Sequence, residues 1–385
     1  MTTNKNPGIY VHIPFCVRKC NYCAFLSGAS DEALRERYVK ALCEEIRIRA
    51  RLMSDHAHGV FDTIFFGGGT PSLLTSAQVA RIIDELKMNF DIDSEAEITL
   101  ESNPATLSME SLRGYRQSGV NRLSMGVQSM DDDILRRLGR IHTAWDVIRD
   151  VQNAREAGFD NINLDLMFAV PGSSLETTLI DIEAVTSLEP EHISFYSLQL
   201  EEGTAFFKEF ERGELKEVPD EIDRETYHAG AKILRDKGYE QYEISNFAKR
   251  GYESRHNLKY WEMAPYMGLG LGASSFIDNS RVMNVCSLDE YFNLTGKGLA
   301  PSAEVHENSE RDNVAEAVFT GLRKVEGIRY EDVLGSYEKF WEYYSDVFEE
   351  ACEYEREGKL IIDEEGMRLT SDGIDISNSI MALFV

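Results

Sequence analysis

Two periods of hydrophobic and polar positions alternate along the first two hundred residues. Short β-rich runs lie at Gly8 to Phe15, Phe61 to Phe66, Glu97 to Glu101, Asn121 to Ser129, Asn161 to Phe168 and His192 to Leu200. Between them the apolar positions recur with the 3.6-residue period of amphipathic helices. Leu34, Tyr38, Leu42 and Ile46, each four apart, mark residues 31–53 as one such helix. Others are predicted over about 76–90, 108–118 and 175–188, with helical segments between Ser129 and Gly158. Six strand-then-helix units predict a mostly parallel sheet with helices packed outside it. Right-handed crossovers then curl the sheet into a barrel or leave it doubly wound, and periodicity does not choose between the two.

After about residue 203 the pattern changes. A charged helix is predicted over about 219–237, then Tyr242 to Ala248, then a Gly- and aromatic-rich stretch from Tyr260 to Phe276. From about Ser309 a small separate module is predicted. It has two or three helices, over Asn313 to Leu322 and about Ser336 to Glu357, then a strand pair at Leu360 to Ile362 and Met367 to Leu369, and a final helix around Ile374 to Leu383. Helices followed by a hairpin suggest a winged-helix-like α+β shape. The division expected from sequence is 1–205, 206–305 and 306–385.

Charge removes the usual partner of that shape. The chain has 40 Lys plus Arg against 67 Asp plus Glu, a formal net charge of −27, and the C-terminal module is itself acidic. Phosphate binding wants a basic face, so no nucleic-acid partner is expected. No apolar run approaches the roughly 18–20 residues that span a bilayer. Met1 to Pro7 is polar, without the apolar core of a secretory signal, so a cytoplasmic location is expected. Thiols stay reduced there, and the six cysteines ask for a metal, a redox role or burial before disulfides.

Three of the six lie within eight residues, Cys16-Val-Arg-Lys-Cys20-Asn-Tyr-Cys23, directly after the first strand. Structural zinc normally takes four ligands in paired CxxC or Cys/His form, and no second CxxC exists here. Three thiols on one loop suit a [4Fe–4S] cluster with one iron left open. A second signal follows the strand FDTIFF: Gly67-Gly68-Gly69-Thr70-Pro71-Ser72, where missing side chains let backbone approach a ligand. Other polar residues receive plainer readings. His12 and His142 fit packing or loop roles, Cys43, Cys286 and Cys352 burial or no role, and Asp131 to Asp133 a helix start. The charged stretch Glu349 to Glu357 reads as a solvated helix face.

CxxxCxxC behind YVHIPF, with GGGTPS, resembles the cluster and S-adenosylmethionine (SAM) motifs of the radical SAM superfamily. Further stretches extend the resemblance over the whole chain: Glu101-Ser-Asn-Pro104, Ser124-Met-Gly-Val-Gln-Ser129, Leu138-Gly-Arg-Ile-His142 and Asp165-Leu-Met-Phe-Ala-Val-Pro-Gly172. They are similar to the group that contains oxygen-independent coproporphyrinogen III oxidase, an enzyme of porphyrin biosynthesis, and the HemW heme chaperones. The implied fold is a partial (β/α)6 radical SAM barrel with a smaller C-terminal α+β module. The implied cluster ligands are Cys16, Cys20 and Cys23. The implied SAM contacts are Tyr10, Phe25, Gly67, Gly68, Thr70, Glu101, Gln128, Arg140 and Asp165, with Arg140 a partner for a carboxylate.

Three features point to the chaperones within that group. Phe25 stands where the oxidase has a fourth cysteine, and only 15 residues precede Cys16. Tyr242 to Lys249 followed by His256-Asn-Leu-Lys-Tyr-Trp261 is similar to the HNxxYW region of the chaperones. That resemblance makes His256 a candidate heme-iron ligand, with Tyr260 and Trp261 packing a porphyrin face. It implies heme as a third cofactor and a heme-accepting protein, membrane-associated, as partner. Sequence leaves the oligomeric state open, a homodimer included. The rival readings are the oxidase itself and a radical SAM enzyme acting on another small molecule.

Overall fold

The computed structural model describes residues 5–53 and 59–385. Six parallel strands lie side by side in chain order: β1 (Gly8–Ile13), β2 (Phe61–Gly68), β3 (Ile92–Ser102), β4 (Arg122–Gln128), β5 (Ile162–Phe168) and β6 (His192–Ser197). Their crossovers carry the helices Glu32–Met53, Ser76–Asn89, Met109–Gln117, Asp132–Leu138, Ala144–Glu156 and Leu175–Thr186. Four of these open on a capping box, in which the residue before the helix and its third residue satisfy each other's backbone amides: Thr75 with Gln78, Ser108 with Ser111, Thr143 with Asp146, Ser174 with Thr177. Each cap stabilises its helix by about 1 kcal/mol and fixes where the strand-end loop stops. Asp131 starts the helix Asp132–Leu138 by accepting from the Asp133 and Ile134 amides, the helix-start role expected for that acidic run.

The six strands alternate in character over most of their length. Ile9, Val11 and Ile13, Ile64 and Phe66, Leu123, Met125 and Val127, Leu164 and Leu166, and Ile193 and Phe195 are buried in one core with helix residues such as Leu42, Ile46, Ile82 and Val151. The intervening positions, among them Glu101, Arg122, Asp165 and Tyr196, line one cavity. A parallel sheet covered on both faces reads as continuous apolar runs. Here the second face is polar because the sheet curls around a cavity lined by β2 to β6, which makes it a partial barrel.

Later strands extend both edges. The antiparallel pair β7 (Glu240–Glu243) and β8 (Asn246–Ala248) adds beyond β6. Beyond β1, parallel β9 (Tyr266–Leu269) is followed by β10 (Ser274–Ile277), β11 (Ser280–Asn284) and β12 (Ser302–Glu307). The twelve-stranded sheet stays open, with β12 and β7 at its edges. To reach β9 the chain passes through the short helix Arg255–Trp261, which packs on β2. Among the described residues, no helix is long and apolar enough to cross a membrane.

The C-terminal residues build their own core around Val318, Tyr330, Phe340, Trp341 and Phe384. Their hairpin gains a third strand, with β13 (Ile328–Arg329), β14 (Leu360–Ile362) and β15 (Gly366–Leu369) in the order β13-β15-β14. The helical stretch expected over 336–357 forms two helices, Tyr337–Tyr343 and Phe348–Arg356. Tyr-Ser-Asp at 344–346 propagates a helix poorly, and the Tyr344 hydroxyl donates instead to the Phe384 carbonyl at 3.1 Å.

Candidate functional site

The cysteine loop leaves β1 through buried Pro14 and Phe15 and is pinned at three points. Cys16 N donates to Gly28 O at 2.9 Å and Gly28 N returns to Pro14 O at 3.0 Å. Asn21 ties its middle to the helix Asp132–Leu138 through Leu138 O and Arg137 O. His12 holds its far end, because Leu26 O at 3.0 Å only accepts and so Nε2 carries the proton. Nδ1 then accepts from the Tyr10 hydroxyl at 3.0 Å. Burial lowers the His12 pKa and keeps the ring neutral. Gly68, at φ 109°, runs under that ring, and a Cβ there would meet it at 2.4 Å.

Two of the three thiols are joined by a chain of side chains. Thr70 Oγ1 donates to Cys16 Sγ at 3.6 Å and accepts from Asn103 Nδ2 at 2.8 Å. Asn103 Oδ1 accepts from Arg140, whose other terminal nitrogen donates to Cys20 Sγ at 3.4 Å. No three His, Cys, Asp or Glu among the described residues are close enough to hold a single ion. A cubane asks for a wider tripod, since each thiolate takes a different iron. Three loop thiols, no fourth side-chain ligand and two sulfur-directed donors fit such a cluster.

The thiols stand at one end of a cavity of about 360 Å³, within the range of small-molecule sites. Cys16, Cys20, Cys23, Phe25, Gly68, Glu101, Gln128, Arg140 and Asp165 all line it, so nine of the expected residues meet in one place. Phe25 is 69% exposed. Tyr10 and Gly67 lie behind the wall, the Tyr10 ring 2.9 Å from a Cβ placed on Gly67. Thr70 borders an adjoining hollow with Cys20 and Arg140. Gln128 holds a left-handed backbone at φ 71°, where β4 slips register, and its amide oxygen accepts from Tyr196 at 2.8 Å. A non-glycine residue in that region is strained and is often found at functional sites.

The deep wall is a buried polar network. Asn163 Nδ2 donates to Asp165 at 2.7 Å and to Ser124 at 2.8 Å, while its oxygen accepts from His192 Nδ1 at 2.6 Å. His192 Nε2 then accepts from Tyr242 at 2.8 Å. Burial drives His192 well below its ordinary pKa, so it stays neutral. Burial, then the Asp165 carboxylate, push Glu101 up to about 8, and burial raises Asp165. Sequence gave no role to Asn103, Asn163, Tyr196 or Arg122. For Asn163, Tyr196 and Arg122 the available signal was the polar member of the strand's alternation.

His256 needs a correction. It sits on the helix Arg255–Trp261, packed where β1 to β3 run past Gly8, Thr63 and Glu97, away from the strand ends that carry the cysteines. It is 0% exposed, and both ring nitrogens are engaged, Nδ1 with Thr63 Oγ1 at 2.8 Å and Nε2 with Tyr260 Oη at 2.9 Å. Burial lowers its pKa to about 3. An axial ligand needs a free lone pair and room for a macrocycle, and this ring offers neither. It is a core histidine stacked on Phe65 at 5.2 Å. His256→Ala will therefore destabilise the protein by roughly 2–4 kcal/mol through a cavity and two orphaned hydroxyls. Folded H256A will match wild type in any heme uptake that wild type shows. Denaturant melts and heme titration at low temperature measure the two effects, and lost uptake by a fully folded variant would restore the ligand role.

Comparison with known proteins extends the likeness across the chain. Residues 10–185 match the radical SAM superfamily and residues 308–376 the HemN C-terminal domain. The heme chaperone HemW of Bacillus subtilis is 35% identical over 378 residues, 98% of either chain. That of Lactococcus lactis is 32% identical over 98% of this chain and 96% of its own. The mitochondrial radical S-adenosyl methionine domain-containing protein 1 of Bos taurus is 31% identical over 98% of this chain and 87% of its own. Among solved structures, Escherichia coli coproporphyrinogen III oxidase (HemN), a radical SAM enzyme, superposes with a TM-score of 0.85 at 24% identity, covering 98% of this chain and 90% of that one.

Proposed function

The chain belongs to the HemW heme chaperone family of the radical SAM superfamily, and on that footing we propose that it binds a [4Fe–4S] cluster, SAM and heme and passes heme to an acceptor protein. The observation that carries this reading is the end-to-end likeness to the Bacillus subtilis chaperone. Phe25 at the place of the oxidase's fourth cysteine supports it.

Cys16, Cys20 and Cys23 would hold the cluster, which when bound supplies an electron to the SAM sulfonium. Thr70 and Arg140 steady two of the thiolates through Asn103. His12, locked in one tautomer, fixes the loop's far end. Gly68 and Glu101, joined by a 3.2 Å amide-to-carboxyl bond, with Gln128 and Asp165, form the walls that would hold SAM. Heme would enter at the open mouth, where Phe25 is exposed, and not at the sealed His256. The acceptor we propose is a membrane-associated hemoprotein served from the cytoplasm.

Reconstituted protein titrated anaerobically with heme will show saturable absorbance changes that respond to SAM. Uptake no stronger than by an unrelated acidic protein would refute the chaperone reading. Conversion of coproporphyrinogen III to protoporphyrinogen in the presence of SAM would establish the oxidase reading instead.

A further inference from the structure

We propose that the deep wall of the cavity contains a carboxylate-binding subsite anchored by the Arg122 guanidinium. Arg122 points inward from β4 and is only 2% exposed, yet it lines the cavity. Its Nε has no hydrogen-bond partner, and the guanidinium forms no ion pair among the described residues. A buried cation without a partner costs free energy that a bound anion recovers. The planar fork of donors matches a carboxylate.

The neighbours do not fill this role. Glu101 and Asp165 feel the charge of Arg122 but stand beyond bonding reach, and burial raises the pKa of both. The other lining groups on this wall, Ser124, Asn163 and Ser194, are neutral. Arg140, the carboxylate partner expected from sequence, has its terminal nitrogens engaged by Asn103, Gly126 and Cys20. Arg122 therefore has the open fork. A mere counter-charge for Glu101 and Asp165 would sit in contact with one of them.

A carboxylate reaches this wall from one of two sources, SAM or a propionate of heme, and only the second rests on the function proposed above. The test uses full-length, cluster-reconstituted protein and two ligand pairs. One pair is SAM and its decarboxylated analogue; the other is heme and heme dimethyl ester. The quantity read is the affinity ratio within each pair, for wild type, Arg122→Gln and Arg122→Lys. R122Q will lose about tenfold or more of the preference for the carboxylate form in one pair, and that pair names the source. R122K, which keeps the charge but not the fork, will lose part of the same preference, and it decides the matter if the glutamine variant is unstable. Ratios unchanged to within about twofold in both pairs would overturn the subsite. Failure of both heme forms to bind wild type would refute the heme reading alone, leaving the SAM pair to judge Arg122.

Discussion

Alanine in place of any one of Cys16, Cys20 or Cys23 will strip reconstituted protein of its iron and of SAM binding, while its melting temperature in the cofactor-free form stays within a few degrees of wild type. The first half follows from ligand count: among the described residues no fourth cysteine lines the cavity, so a single loss leaves two anchors for a cubane that needs three. Iron should fall from about four per chain to less than about a tenth of that. The second half follows from the loop's construction. All three thiols are partly exposed, and the loop is held by backbone bonds, Asn21 and His12 rather than by sulfur packing. Iron and sulfide analysis, visible absorbance and thermal melts check both halves. Variants that keep their iron would end the cluster assignment, as would anaerobic wild type that is colourless and binds zinc.

Local pattern was enough for the six strand-then-helix units, because each strand carries its own alternation and its own turn signals. It was not enough for β9 and β10. In the Gly- and aromatic-rich stretch from Tyr260, β9 pairs with β1, more than 250 residues earlier in the chain, and β10 then pairs with β9. The same limit misled the reading of His256. A short aromatic segment around a histidine suggests a ligand, but which end of the barrel it occupies depends on that long return across the sheet. The cysteine and glycine loops were legible because their chemistry is local. Asn103 was visible only as part of a resemblance, since bridging Thr70 to Arg140 joins the loops after β2 and β3 to the end of the helix Asp132–Leu138. Arg122 was missed for a different reason. A lone Arg at the head of an apolar strand looks like a solvent-facing start, and only the curl of the sheet turns it inward.

In cofactor-free protein, the Glu101 carboxyl will make stability fall as pH rises. Burial and the Asp165 carboxylate raise its folded pKa from the ordinary 4.5 to about 8. Below about pH 4.5 both folded and unfolded chains hold the proton, and this contribution is fully present. Between about 4.5 and 8 the unfolded chain has released a proton that the folded chain keeps, so unfolding becomes progressively easier; above about 8 the loss is complete. Water in the cavity screens part of the effect, which leaves roughly 2–4 kcal/mol across the window. Asp165, also raised by burial, adds a slope of the same sign. Arg122 opposes the shift of both, whereas the Gly68 amide, 3.2 Å from Glu101, favours its ionised form. Glu101→Gln keeps the shape and removes the titration. Its denaturation midpoint should match wild type near pH 5, exceed it near pH 8.5, and show a flatter profile between. Parallel pH profiles for the two proteins would mean that Glu101 is ionised in the folded chain and that the cavity wall is wetter than its burial indicates.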